Sequence, residues 1–133
     1  MEIEAGDIHL TATLDNGRTG IVYAGSFFAL MVATPPQITA DQNDYAGCTV
    51  SVCRLSTNAP HSITGIAGGT DGKLLLLINI GANNLVLEHD DVLSAAENRM
   101  LLGGGTARTL SPGQSGLLIY DVASTRWRIT IVY

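Results

Sequence analysis

The chain has 133 residues, of which 46% are hydrophobic and 14% charged, with a formal net charge of −5. A single domain of this length buries roughly two thirds of its unfolded surface and holds a core without staples. Its seven basic residues, Arg18, Arg54, Lys73, Arg99, Arg108, Arg126 and Arg128, are scattered, which excludes the clustered charge that a nucleic-acid backbone requires.

The charged share is well below the ~25% of a typical soluble domain. Either surface is hidden in an assembly, or the outside is rich in Thr, Ser, Asn and Gly. Met1 is followed by Glu2 and Glu4 rather than by a basic stretch and an apolar run, so no secretory signal is expected. The apolar stretch from Ile21 to Ala33 contains Gly25 and Ser26 and is too short to span a bilayer, so no membrane partner is expected either. Cys48 and Cys53, placed on one strand, would hold their Cα atoms ~16 Å apart, beyond disulfide reach. They read as buried free thiols of a reduced, intracellular chain.

In chain order, Ile8, Leu10, Ala12 and Leu14 alternate with His9, Thr11 and Thr13, the pattern of a half-buried strand. Asp15-Asn16-Gly17-Arg18 is a hairpin signal, because both central positions of a type I′ turn need positive φ. The return strand runs from Thr19 through Ile21 and Tyr23, and a second apolar piece, Phe27 to Val32, stops at Pro35-Pro36. Residues 37–47 are polar and turn-like and read as a connection. From Cys48 to Leu55 alternation returns, with Val50 and Val52 opposite Thr49, Ser51 and Cys53, and Asn58-Ala59-Pro60 breaks it.

The chain is organised around Ile63 to Ile80. A turn punctuated by Gly65, Gly68, Gly69 and Gly72, with Asp71 inside it, delivers the apolar run Leu74 to Ile78. Such a run reads as a strand covered on both faces or as a buried helix; its length and flanking glycines favour the strand. Positive φ is expected at Gly68, Gly69 and Gly72. Gly81 to Asn84 forms a turn, and Leu85-Val86-Leu87 returns. Ser94-Ala95-Ala96-Glu97 matches a capping box, Ser at the N-cap and Glu three residues on, and predicts one short helical turn near Ser94 to Asn98. Ser111-Pro112-Gly113-Gln114 suits a type II turn, and the last strands are Gly116 to Tyr120 and Trp127 to Tyr133. Short strands at even spacing predict an all-β fold: a single β-sandwich or jelly-roll-like domain over 1–133, with an N-terminal hairpin or arm at 1–34 and the sandwich module at 36–133.

From about Pro36 to Arg128 the chain resembles a module that recurs in virion proteins of tailed bacteriophages. The resemblance is carried by QNDYA at 42–46, ITGIAGGTDGKLLLLINIGANNLVLEH at 63–89, SAAENR at 94–99, LSPGQSGLLIYD at 110–121, and Arg126-Trp127-Arg128. It implies a β-rich, usually trimeric structural domain on tail fibres, baseplates or capsid surfaces. Residues 1–34 lie outside it.

No catalytic constellation assembles from the sequence. His9, His61 and His89 have no pairwise spacing that places two on one side of a strand or helix, and the cysteines fit no zinc pattern, so no metal or other cofactor is expected. Glu88, His89, Asp90 and Asp91 form the densest acidic spot, but adjacent residues point apart, and solvated loop charge accounts for them. The glycine turn precedes a strand rather than a helix, which excludes a phosphate cradle. Asn98, Arg99, Tyr120 and Asp121 sit at element ends and read as a hydrogen-bonded corner with Trp127, half-buried on the last strand.

The expected function is therefore non-enzymatic. The leading reading is a capsid decoration protein that stabilises the phage head, a virion component assembled in the host cytoplasm. The alternatives are a tail-fibre, baseplate or head-fibre component that touches the host surface, or a carbohydrate-binding β sandwich. A chain that opens at Met1 with only a short hairpin favours the compact surface protein. Expected partners are two further copies of the chain, and the major capsid protein or another virion protein. The apolar residues Ile3, Ile8, Leu10, Phe27 and Phe28 are the candidate assembly interface.

Overall fold

Strand pairing divides the chain into a coiled first half and a hairpin second half. The computed structural model describes residues 29–132. The strands are β1 (Val32–Ala33), β2 (Val52–Leu55), β3 (His61–Ile63), β4 (Leu74–Asn79), β5 (Leu85–Leu87), β6 (Met100–Leu101), β7 (Arg108–Leu110), β8 (Ser115–Asp121) and β9 (Arg126–Val132), with a 3₁₀ turn at Ala96–Asn98. They build a six-stranded sheet in the order β1-β2-β4-β8-β9-β6 and a three-stranded sheet in the order β3-β5-β7. The hairpin expected at residues 8–23 lies outside the described residues, as do Phe27 and Phe28 of the apolar piece, whose last residue, Val32, opens β1.

The first strands pair in parallel: Val32 with Val52, Val52 with Leu76, and His61 with Leu85. Parallel neighbours cannot be joined by a tight turn, so the chain must cross to the other sheet and return. The polar residues 37–47 make that crossing. They are not a plain connection: Ile38 bridges Thr57, Gln42 bridges Ile63 and Tyr45 bridges Ile66, all in parallel. Polarity concealed this role, because the crossing buries only Ile38 and Tyr45. From β4 onward, β4/β8, β8/β9 and β5/β7 are antiparallel, and β6 joins β9 in parallel.

Two sheets packed face to face make a β sandwich. Its core takes Ile63, Leu85, Leu87 and Leu110 from the small sheet, and Cys53, Leu55, Leu75, Leu77, Leu118, Tyr120, Met100 and Trp127 from the large one. Asn79 ends β4 inside this core, and its amide replaces a backbone ladder. Nδ2 donates to the carbonyls of Leu110 (2.7 Å) and Asn83 (2.8 Å), and Oδ1 accepts from Gly81 N–H (3.0 Å). A buried amide so satisfied fixes the register of the 79–83 turn against β7.

Three sequence expectations change here. Trp127 is 0% exposed rather than half-buried. Its indole N–H finds the Ile66 carbonyl at 2.8 Å, which allows a polar-tipped ring to be buried completely, and it meets Tyr120 edge to face at 5.2 Å. Ser94 caps no helix: the 3₁₀ turn begins after Ala95 with no side-chain cap, because the Ser94 hydroxyl is turned into the domain. Cys48 lies before β2 rather than on it, and the bend between brings the two sulfurs to 2.7 Å.

Candidate assembly surface

Alternation on β4 buries Leu75, Leu77 and Asn79 and turns Leu74, Leu76 and Ile78 outward. The strand expected to be covered on both faces is covered on one. Its neighbours repeat the pattern: β2 sends Cys53 and Leu55 in and Val52 and Arg54 out, while β8 sends Leu118 and Tyr120 in and Leu117 and Ile119 out. Of the valine face read at Val50 and Val52, Val52 lies on β2 and faces outward, and Val50 falls in the bend before the strand.

Register assembles these residues into rows. Val32, Val52, Leu76 and Leu117 lie side by side across β1, β2, β4 and β8. Leu74 and Ile119 form the adjacent row, and Ile78 stands between Arg54 and Ser115. Val32 is 46% and Leu74 43% exposed, Arg54 is exposed as well, and the others are half-buried. The outer face of the small sheet presents Ser62, Val86 and Thr109 at the matching register. One sheet therefore shows water a mixed, mostly polar face, and the other an aliphatic one.

The aliphatic face has a charged rim. Arg54 marks one side. On the other, Arg128 stands beside Ile119 and donates from Nε to Asp121 Oδ2 at 2.7 Å. Arg128 and the Ser124 hydroxyl hold the Asp121 carboxyl below its usual range. Exposed apolar patches rimmed by polar residues mark contact sites for proteins, membranes or ligands.

The glycine turn and the corner are scaffolding behind this face. Gly68 (φ 81°) and Gly72 (φ 75°) have positive φ. Gly69 does not; a Cβ there would lie 2.2 Å from the Tyr120 ring, so close approach and not φ requires glycine. Gly65 is similar, with Ser94 Oγ 2.6 Å from the site a Cβ would take. Asp71 Oδ1 accepts from Val122 N–H at 3.2 Å and ties the turn to the β8–β9 hairpin.

The named corner residues divide into two groups. Tyr120 and Trp127 pack together in the core, and Asp121 belongs to the rim. Asn98 and Arg99 join a junction centred on Asp44, whose Oδ1 accepts from Asn98 Nδ2 (2.8 Å) and Ala95 N–H (2.9 Å). Asp44 N–H donates to Ser94 Oγ, which shares a 2.7 Å hydrogen bond with Thr64, and Arg99 Nε donates to the Ser94 carbonyl. In the sequence Asp44 is marked only by its place in the QNDYA phrase at 42–46 and by its type, since Asp tolerates the positive φ (49°) found there.

The remaining candidates do not converge. His61 bonds Asp41 (3.2 Å) and Asn58 (2.9 Å), and His89 Nδ1 accepts from Leu102 N–H. Asp90 pairs with Arg126 at 2.8 Å, while Asp91 accepts from Leu93 N–H. Among the described residues no three His, Cys, Asp or Glu side chains stand together as a metal site. An open polar cleft is lined by Arg108, Thr109, Gln114 and Thr130, and Arg108 donates to the Gly103 carbonyl within it. Tyr45, Tyr120 and Trp127, the aromatic residues whose burial is described, are all buried, so none offers a ring to a sugar. Ile3, Ile8, Leu10, Phe27 and Phe28 lie outside the described residues.

A family model, the phage depolymerase C-terminal beta sandwich domain, matches residues 37–128, well over half of the chain. The chain belongs to this family. It is a β-rich module of a phage virion protein, of the tail-fibre type. Among curated proteins none matches. The phage depolymerase C-terminal β-sandwich span nearly coincides with the stretch from Pro36 to Arg128 that carries the resemblance in the sequence. It includes the glycine turn, the Asp44 junction and most of the aliphatic face, whereas Val32 precedes it. The family is described by its architecture and its C-terminal place in depolymerases; capsid decoration draws no support from it.

Proposed function

We propose that this chain is a non-enzymatic structural module of a phage tail-fibre-type protein, and that copies of it assemble through the outer face of β1, β2, β4 and β8. The observation that carries this reading is the continuous aliphatic face, from Val32 through Val52 and Leu76 to Leu117, on a domain whose other sheet face is mostly polar. Removing apolar area from water is worth roughly 25 cal/mol per Å². A face this apolar is therefore better buried than wet, and three copies, the order implied by the resemblance to phage modules, can each contribute one face to a common axis. The polar surface left outside is what meets the host.

Tail placement is favoured over the head because the matching family is named for depolymerases. Gold-labelled antibody against the purified chain, viewed on intact particles by electron microscopy, tests the placement. Label at the tail tip is expected. Label distributed over the head would return the decoration reading.

A further inference from the structure

Cys48 and Cys53 are the only cysteines of the chain. Both are buried, and their sulfurs stand 2.7 Å apart, about 0.7 Å beyond the length of a disulfide bond. Cys53 lies on β2, next to the edge strand β1, and Cys48 directly follows the crossing segment that carries Tyr45. A cleft of about 320 Å³ is lined by Ala46, Cys48, Thr49, Ala67, Gly68 and Lys73. Two sulfurs prepared this closely, with one of the two residues lining an open cleft, are a site for oxidation.

We propose that Cys48 and Cys53 form an intrachain disulfide when the protein meets a peroxide-class oxidant, locking the crossing segment to β2. Cys53, which accepts the Cys48 S–H, attacks one peroxide oxygen as thiolate and breaks the O–O bond. This gives a sulfenic acid and hydroxide, and the hydroxide takes up the proton that Cys53 released. The Cys48 sulfur then attacks the sulfenic sulfur, forming the S–S bond and expelling hydroxide, which leaves as water with the Cys48 proton. Two thiols lose two electrons and hydrogen peroxide becomes two waters. The hydrogen bond from Cys48 holds the Cys53 thiol below its ordinary range, while the same bond and burial push the Cys48 thiol up. A reducing cell interior keeps the pair open, and the outside of the cell does not. The timing of locking rests on the virion reading above; the chemistry does not.

The test uses the full wild-type chain, purified reduced, then treated with hydrogen peroxide or kept in dithiothreitol. Mass spectrometry of the tryptic peptide 19–54, which carries both cysteines, should find it lighter by two hydrogens, and thiol titration of the unfolded protein should fall from two to none. Closing so short a ring, five positions apart, should raise the melting temperature by roughly 5–10 °C. Dithiothreitol should reverse the rise, and a Cys48→Ala, Cys53→Ala double variant should not show it. Two free thiols after oxidation, separate sulfinic acids, or disulfides only between chains would each overturn the proposal. A failure here leaves the assembly reading untouched, because neither sulfur lies on the aliphatic face.

Discussion

Replacing Asn79 by alanine tests whether the end of β4 is held by its side chain. The amide gives two hydrogen bonds to carbonyls and receives one from Gly81 N–H, in a site with no solvent exposure. Truncation leaves the Leu110 carbonyl unpaired in the core and the Asn83 carbonyl and Gly81 N–H poorly paired at its margin. A buried unpaired group costs about 1–3 kcal/mol. One full loss and two partial ones amount to about 3 kcal/mol, or roughly 10–20 °C in melting temperature for a domain of this size. Asn79→Asp should be worse than alanine at neutral pH, since it keeps the acceptor for Gly81 but aims a carboxylate at two carbonyl oxygens. Thermal unfolding followed by circular dichroism reads both variants. An alanine variant within about 3 °C of wild type, or an aspartate variant more stable than the alanine one, would refute the role given to this amide.

Other outcomes follow from the same contacts. Gly69→Ala should destabilise by about 2 kcal/mol or more, because its Cβ enters the Tyr120 ring, whereas Gly72→Ala, with no atom within 4 Å, should cost only the ~1 kcal/mol of a positive φ; equal losses in chemical denaturation would contradict this. Trp127→Phe should cost about 2 kcal/mol by orphaning the Ile66 carbonyl, and wild-type stability in the same assay would count against that hydrogen bond. Burial raises the Tyr45 phenol from its ordinary 10.0 to about 12, so folding favours the neutral form. That contribution is complete below pH 10.0 and disappears as pH rises through about 12. Tyr45→Phe should flatten the fall in stability over that window, and an unchanged slope in urea melts would remove Tyr45 as its cause.

The all-β class, the β4 and β8 strands and the type II turn at Ser111–Gln114 were legible because each rests on local pattern: short apolar runs bounded by turn residues, or a glycine where φ must be positive, as at Gly113 (φ 82°). What was not legible depends on contacts between distant residues. The crossing at 37–47 is polar by composition, and only parallel bridges to Thr57, Ile63 and Ile66 make it part of the fold. Ser94 carries a capping-box signature, yet a hydroxyl neighbour at Thr64 and the Asp44 backbone N–H outcompete the helix end. Gly69 reads as a turn glycine, but its reason for being glycine is a tyrosine ring from β8. The outer face was half legible. Leu74, Leu76 and Ile78 announce themselves, but a run of apolar residues does not say whether both faces are covered by the same chain.

Assembly through that face is tested most directly by sedimentation velocity at micromolar concentration on the wild-type chain and on Leu76→Arg, which places a charge in the middle of the row Val32–Val52–Leu76–Leu117. The wild type should sediment as three copies. The variant should sediment as one, with an unchanged far-ultraviolet circular dichroism spectrum, because Leu76 points away from the core. A wild-type monomer, or a Leu76→Arg chain that still sediments with the wild type, would contradict the assignment of this face to assembly.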